Sequence, residues 1–312
     1  MVSHPAGPYT KPMDRPTLRQ LEYFLAVAEH LSFRKAAEAS HVSQPALSAQ
    51  IAQLEAKLGL QLFERDSRGV RVTRAGEALA PAAREALCAT AAFGQLASSL
   101  GAPLTGPLRM GVIPTVGPYL LPKVLPAVRE AHPDLALFLR EDMTDRLLEQ
   151  LEGGELDLLL LAIDLDLGAV ETLSLFSDPF VLAVARADDR CGSDEASLAD
   201  LEGREVLLLD EGHCLRDQTL PLCDAGGAEW RGGFRASSLP TICQMVAAGL
   251  GATLLPELAV ERELAAAPEL CATAFGADGP SRQVGLAWRP ASPRAEEFRA
   301  LGSTIAAAYA AS

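Results

Sequence analysis

The run Leu207-Leu-Leu-Asp-Glu-Gly-His-Cys-Leu-Arg-Asp-Gln-Thr-Leu-Pro-Leu-Cys223 gathers more reactive side chains than any other stretch of this 312-residue chain. Cys214 follows an apolar strand-like run and a glycine turn, which places it at the start of a helix, next to His213 and one turn from Arg216 and Asp217. A helix N-terminus and nearby cations both favour a thiolate over a thiol, and a thiolate is the nucleophilic form of cysteine. The competing reading is that Cys214 is simply a small buried apolar side chain. Cys223 lies nine residues further on. On one regular helix, nine residues separate two side chains by about 13 Å along the axis and place them on opposite faces. A disulfide needs Cα atoms roughly 4.4–6.8 Å apart. Helix and disulfide therefore exclude each other, and joining these two sulfurs requires the segment to refold. Pro221 disfavours helix at Leu220 and keeps any helix here short and easily melted.

The other cysteines are Cys88, Cys191, Cys243 and Cys271. All six are expected to rest as thiols, any disulfide being transient or regulatory. The four read as small buried side chains, with Cys191 more exposed in a Ser/Asp-rich loop. None forms a CxxC pair and no Cys/His spacing matches a zinc site, so neither metal nor cofactor is expected.

These residues need a scaffold, and composition bounds it. With 49% hydrophobic and 22% charged residues the chain has ample material for globular cores. Its length suits two or three domains. No apolar stretch is long enough to span a bilayer, and residues 1–16 lack a signal-peptide core, so they read as a disordered leader on a cytoplasmic protein. The net charge of −14 is unevenly spread: residues 1–76 hold 10 Lys and Arg against 7 Asp and Glu, and the acidic excess lies beyond them. A small basic module ahead of an acidic body fits a regulator better than a non-specific coater of DNA.

From Thr17, Leu18, Leu21, Leu25 and Ala28 mark one helical face. Ser32 caps a short helix to Ala39, and Ser43 caps another that runs through Pro45 to Leu58 and stops at Gly59. Leu47, Ile51, Leu54 and Leu58 form its apolar face, leaving Ser43, Gln44, Pro45, Ser48 and Gln53 free to meet the major groove of double-stranded DNA. A glycine turn follows between Arg65, Arg68 and Arg71, and reads as a wing contacting phosphates.

Phe33-Arg-Lys-Ala-Ala-Glu, Val42-Ser-Gln-Pro-Ala-Leu-Ser, Ile51-x-x-Leu-Glu-x-x-Leu-Gly, Leu62-Phe-x-Arg and Thr73-x-Ala-Gly together resemble the LysR-type transcriptional regulators. The resemblance implies a winged helix-turn-helix over residues 17–76 and a linker or dimerisation helix over 77–103. It also implies a regulatory domain over 104–312 shaped like a periplasmic binding protein. Its subdomains would span about 104–178 with 281–312, and about 179–280. Pro81 breaks the linker pattern and should kink the helix or shift its start.

The regulatory region itself alternates short apolar runs with helical patterns. Strands are expected at Leu108–Ile113, Ala136–Arg140, Leu156–Ala162, Phe180–Ala185, Glu205–Leu209, Gly233–Ala236, Ala252–Leu255 and Val284–Trp288, with helices at Leu120–Ala131 and Arg146–Gly153. This predicts an α/β domain with a largely parallel sheet and a cleft between two subdomains.

Gly212-His-Cys-Leu-Arg-Asp-Gln, Ile113-Pro-Thr-Val-Gly-Pro-Tyr-Leu-Leu-Pro and Ser237-Ser-Leu-Pro-Thr with Met245-Val-Ala-Ala-Gly are similar to the peroxide-sensing members of that family. That similarity makes Cys214 the peroxidatic cysteine and Cys223 its resolving partner. Thr115, Thr144, His213, Arg216 and Asp217 fall where such proteins arrange hydrogen bonds around thiol and peroxide. It further implies hydrogen peroxide as signal, control of antioxidant genes, contact with RNA polymerase, resetting by cellular thiol reductants, and a homodimer or homotetramer. The alternative is a regulator answering a small metabolite in the inter-subdomain cleft. A peroxidase-like enzyme is disfavoured, because turnover serves no purpose on a chain that also reads DNA.

Overall fold

A computed structural model of the chain describes residues 15–66, 69–99, 103–229, 236–290 and 292–312. It divides into two units, residues 1–93 and 94–312.

In the first unit the capping chemistry sets the helix boundaries. Helix α1 (Leu18–His30) starts at a capping box: the Thr17 hydroxyl accepts from Gln20 N at 3.3 Å, and Gln20 Oε1 accepts from Thr17 N at 3.1 Å. Ser32 Oγ accepts from Lys35 N to open α2 (Phe33–Ala39), and Ser43 Oγ accepts from Ala46 N to open α3 (Gln44–Leu58). Gly59, with φ of 65°, ends α3 in the left-handed region that glycine adopts without strain. A two-stranded antiparallel wing follows, β1 (Phe63–Asp66) against β2 (Gly69–Val72), with Glu64 opposite Arg71. Tyr23, Phe24, Val27, Phe33, Leu47, Ile51, Leu54, Leu62 and Phe63 make the core. Helix α4 (Arg74–Ser99) continues through Pro81, starting three residues before the expected linker.

The second unit is built on β3 (Gly106–Val112), α5 (Gly117–Ala131), β4 (Leu135–Glu141), α6 (Thr144–Glu152), β5 (Leu158–Ala162) and the long β6 (Glu171–Ala185). A 3-10 turn (Leu198–Leu201) and α7 (Cys214–Ala225) come next. They are followed by α8 (Leu239–Ala247), β7 (Thr253–Pro256), α9 (Glu257–Ala266), β8 (Leu270–Ala274), β9 (Ser281–Trp288) and α10 (Ala295–Ala310). The strand order is β4-β3-β5-β9-β6-β7, with β8 also on β6.

The expectation of a largely parallel sheet needs correction. Among the named strands only β3 pairs in parallel, with β4 and β5, whereas β5–β9, β6–β9, β6–β7 and β6–β8 are antiparallel; the isolated bridges of the described residues are parallel. The reason is the long β6, which pairs with β9 along one half and with β7 and β8 along the other. The expected strand at Glu205–Leu209 is a run of isolated bridges, Glu205 to Glu229, Val206 to Ala252 and Leu209 to Ala236. Of the expected strand at Gly233–Ala236, residues 233–235 lie outside the described residues.

Candidate functional site

The parallel strands of an α/β sheet deliver chain turns to one edge, where ligands usually bind. Thr115 follows the C-terminal end of β3, and Thr144 opens α6 just past the C-terminal end of β4. Both are buried, Thr115 at 2% exposure and Thr144 at 8%.

Cys214 is the first residue of α7 and is 6% exposed. The turn before it depends on Gly212, whose φ of 92° strains any other residue and whose missing Cβ leaves room for Met143 Sδ. Burial pushes the Cys214 thiol up. Thr144, the Arg282 guanidinium and the Leu215 backbone N–H pull it down, while Asp217 adds to the rise. The neighbouring cation and hydrogen bonds thus favour the thiolate without outweighing burial. Desolvation is the largest effect, so Cys214 rests as a thiol whose ionised form is partly stabilised in advance. The Thr144 hydroxyl meets no partner by strict hydrogen-bond geometry, yet it lies close enough to be a group that lowers the thiol pKa.

Arg282 is the residue that sequence reasoning passed over. It is fully buried on β9 and donates from Nε to Asp178 Oδ2 at 2.9 Å, from Nη1 to Thr115 Oγ1 at 3.0 Å, and from Nη2 to the Thr115 carbonyl at 3.0 Å. Asp178 lies opposite Arg282 in the β6–β9 register and also accepts from Leu258 N at 2.9 Å. The available signal was slight: Asp178 and Arg282 are opposite charges that each stand just before an apolar run, Phe180–Ala185 and Val284–Trp288. Thr115 therefore serves the Arg282 fork, and its hydroxyl proton remains free to donate elsewhere.

His213 caps α7 without a side-chain capping bond and is 4% exposed, its Nε2 meeting no hydrogen-bond partner. Burial pushes its pKa below 6.5 against the pull of Asp210, so the ring is neutral near pH 7. A cavity of about 210 Å³ opens among residues that include Thr115, Tyr119, His213, Ser238, Arg262 and Glu263. Arg216 donates to the Leu209 carbonyl at 3.2 Å, bracing the turn before the helix. Asp217 is exposed. Its effect on the thiol is that of its charge, which raises the thiol pKa.

Cys223, 3% exposed, sits on the same continuous helix, where burial and then Asp224 push its pKa up to about 11. Thr219 Oγ1 donates to the Leu215 carbonyl at 2.8 Å between them, and Pro221 is exposed within the helix. The two sulfurs are thus held apart by helix, as their spacing requires. Cys191 and Cys271, in contrast, are joined in a disulfide, which corrects the expectation of six thiols.

In the first unit, Ser43, Gln44, Pro45 and Gln53 are exposed on α3, and Ser48 is half-buried. The Ser43 hydroxyl is already engaged in capping. Gln20 Nε2 donates to Gln50 Oε1 at 3.2 Å, tying α1 to α3, and Glu55 Oε1 accepts from Leu62 N and Phe63 N, tying α3 to the wing. Arg71 is exposed on β2, while Arg68 and the side chain of Arg65 lie outside the described residues.

Comparison with known proteins places this arrangement. Residues 18–77 match the bacterial regulatory helix-turn-helix protein, lysR family, and residues 101–310 match the LysR substrate binding domain. The chain belongs to the LysR family. It is 42% identical over 290 residues to the DNA-binding transcriptional dual regulator OxyR of Escherichia coli K12, covering 93% of this chain and 95% of that one. It is also 42% identical over 288 residues to a hydrogen peroxide-inducible genes activator of Pectobacterium carotovorum, covering 92% and 95%. Among solved structures, a full-length cysteine-to-aspartate OxyR from Pseudomonas aeruginosa matches with a TM-score of 0.72 at 35% identity, covering 93% and 95%. A hydrogen-peroxide-bound cysteine-to-serine OxyR from Corynebacterium glutamicum matches with a TM-score of 0.66 at 39% identity, covering 96% and 94%. Within the LysR family the chain therefore groups with OxyR. The family is one of DNA-binding transcription regulators and not an enzyme class. No described helix is long and apolar enough to cross a membrane.

Proposed function

We propose that the chain is a hydrogen-peroxide-responsive regulator of antioxidant promoters, switched at Cys214. The observation that carries this reading is the surroundings of that thiol. It is buried at the first turn of α7 with Thr144 and Arg282 lowering its pKa, while Cys223 waits at the far end of the same helix. In the reaction, the Cys214 thiolate attacks one oxygen of hydrogen peroxide and the O–O bond breaks. The departing hydroxide takes a proton from a neighbouring hydroxyl or water. Thr115 and Thr144 supply hydroxyl protons, neutral His213 offers a ring nitrogen to the bound peroxide, and Arg216 and Asp217 fix the turn and its field. The sulfenic acid then meets the Cys223 thiol, forming the disulfide and releasing water. Since α7 separates the sulfurs, that second step unwinds it.

The readout follows through the helix-turn-helix. Gln44, Pro45, Ser48 and Gln53 face the major groove of promoter DNA, with Ser43 at the helix start and Arg65, Arg68 and Arg71 on phosphates. The linker helix pairs two chains, giving a homodimer that doubles to a homotetramer in the cytoplasm. RNA polymerase is the transcriptional partner and cellular thiols are the reductants. The chain turns over no substrate. A second reading, a regulator switched by a small metabolite, is favoured only by the cavity at Thr115, Tyr119 and Ser238. Titrating the purified full-length protein with hydrogen peroxide, while following free thiols and operator binding, separates these. The proposal expects loss of the Cys214 thiol in step with altered operator binding. A metabolite sensor leaves both unchanged, and an enzyme consumes peroxide repeatedly when a reductant is present.

A further inference from the structure

The mechanism above makes no use of Cys191 and Cys271, which lie 80 residues apart in sequence with their Cα atoms 5.6 Å apart. Their meeting is built by backbone rather than by the sulfurs. The chain leaving β6 folds back along β8: Arg186 N donates to the Glu269 carbonyl at 2.7 Å, and Ala196 N donates to the Ala274 carbonyl at 2.8 Å. Between those two ties, Thr273 Oγ1 donates to the Arg190 carbonyl at 3.4 Å. The turn from Asp188 to Ser193 is closed by its own hydrogen bonds, so Cys191 is laid against Cys271 on β8. Both cysteines are half-buried against the core.

Their surroundings differ in kind from those of Cys214. The guanidiniums nearby are engaged elsewhere, Arg190 with Asp200, and Arg204 with Asp188 at 2.6 Å and Asp189 at 2.9 Å. The Thr273 hydroxyl is spent on a carbonyl. These guanidiniums and this hydroxyl are thus committed to carboxylates and a carbonyl, which leaves them poorly placed to assist a departing hydroxide.

We propose that Cys191 and Cys271 form a second dithiol–disulfide couple, separate from Cys214 and Cys223, whose oxidant is a low-molecular-weight disulfide rather than peroxide. One thiolate of the pair attacks a sulfur of the small disulfide RSSR and expels RS⁻, leaving a mixed disulfide. The second thiolate attacks the protein sulfur of that mixed disulfide and expels the other RS⁻. Two protein thiols become one disulfide and RSSR becomes two RSH, so no further oxidant is needed. The couple has a structural reach. The segment that it fastens continues to the end of α7, where Gly203 N donates to the Gly227 carbonyl at 3.0 Å and Glu229 N donates to the Arg204 carbonyl at 2.8 Å.

The test uses full-length protein prepared reduced and without oxygen, as the natural sequence, as Cys214→Ser with Cys223→Ser, and as Cys191→Ser with Cys271→Ser. Each is equilibrated in glutathione buffers of varied oxidised fraction, or given one equivalent of hydrogen peroxide, then alkylated and mapped by peptide mass. The expected result is a linked Cys191–Cys271 peptide that rises with oxidised glutathione identically with or without Cys214 and Cys223. One equivalent of peroxide should leave both cysteines alkylatable, and the Cys191/Cys271 variant should still lose its Cys214 thiol to peroxide. The proposal fails if both sulfurs stay alkylatable in fully oxidised glutathione, or carry glutathione separately. It fails equally if one equivalent of peroxide closes the pair in the variant lacking Cys214 and Cys223.

Discussion

Replacing Arg282 by Met tests the electrostatic half of the site. The side chain is fully buried, and its loss removes two bonds to Thr115 and the pairing with Asp178. Asp178 would keep only the Leu258 N–H. Breaking a buried pair from one side costs about 3–5 kcal/mol, so the variant should unfold at distinctly lower urea concentration. The same guanidinium lowers the Cys214 pKa. Its removal therefore raises the thiol pKa further and slows peroxide attack at fixed pH, because less thiolate is present. Arg282→Lys keeps the charge but not the fork, and should recover most of the rate while recovering stability only in part. The assay is stopped-flow loss of the Cys214 thiol across pH 6–10, beside urea titrations. A rate–pH profile shifted to higher pH supports the reasoning. A profile that stays in place while stability falls refutes it, and leaves Arg282 a purely structural residue.

Gln44→Ala should weaken specific operator binding by about 1–3 kcal/mol in a gel-shift or anisotropy titration, with the fold unchanged by circular dichroism. Arg71→Ala should weaken binding to all DNA sequences alike, and should flatten the log K against log salt slope by about one unit. The regulatory unit should lose stability in alkali, since the folded pKa of Cys223 (about 11) lies above its ordinary 9.0. That contribution is intact below about pH 9 and fades as pH rises toward 11, by about 2–3 kcal/mol in all, with Cys214 and Cys243 shifted in the same direction. Urea titrations at pH 8 and 10.5 measure it, and the loss should shrink in Cys223→Ala.

The helix-turn-helix was legible because its signals are local. Ser32, Ser43 and Gly59 fix helix ends by capping bonds that depend on neighbours three or four residues away. The long strand β6 was legible only from Phe180, because Glu171–Ser177 mixes exposed and half-buried residues and has no continuous apolar run. Strand β8 was missed for a related reason, since Leu270-Cys-Ala-Thr-Ala is short and only partly buried. At the site, Cys214, His213 and Cys223 stand out because they are close in sequence. Arg282 reaches Thr115 across 167 residues, and Cys191 reaches Cys271 across 80. Such meetings follow from strand register and chain reversal, which neither residue type nor spacing encodes.

The opposition between helix and disulfide in α7 has an energetic consequence that one substitution exposes. Leu215 is 3% exposed in the helical state and directly follows Cys214. Drawing Cys214 and Cys223 together unwinds the turn that buries it. Re-exposing one leucine costs about 2–3 kcal/mol, which stabilises the dithiol and moves the couple about 40–65 mV toward the oxidising side. The proposed Cys214–Cys223 disulfide is thereby easier to reduce than a structural one, as the proposed reset by small thiols requires. In Leu215→Ala most of that burial is absent, so the dithiol loses stability that the disulfide never had. The midpoint should then move by tens of millivolts toward the reducing side, and the oxidised form should persist longer against a fixed thiol concentration. Equilibration in graded dithiothreitol buffers, with Cys214 and Cys223 mapped by alkylation, measures the shift. An unchanged midpoint in a variant that is measurably less stable would mean that Leu215 stays packed in both states, and that α7 need not unwind at its N-terminal turn.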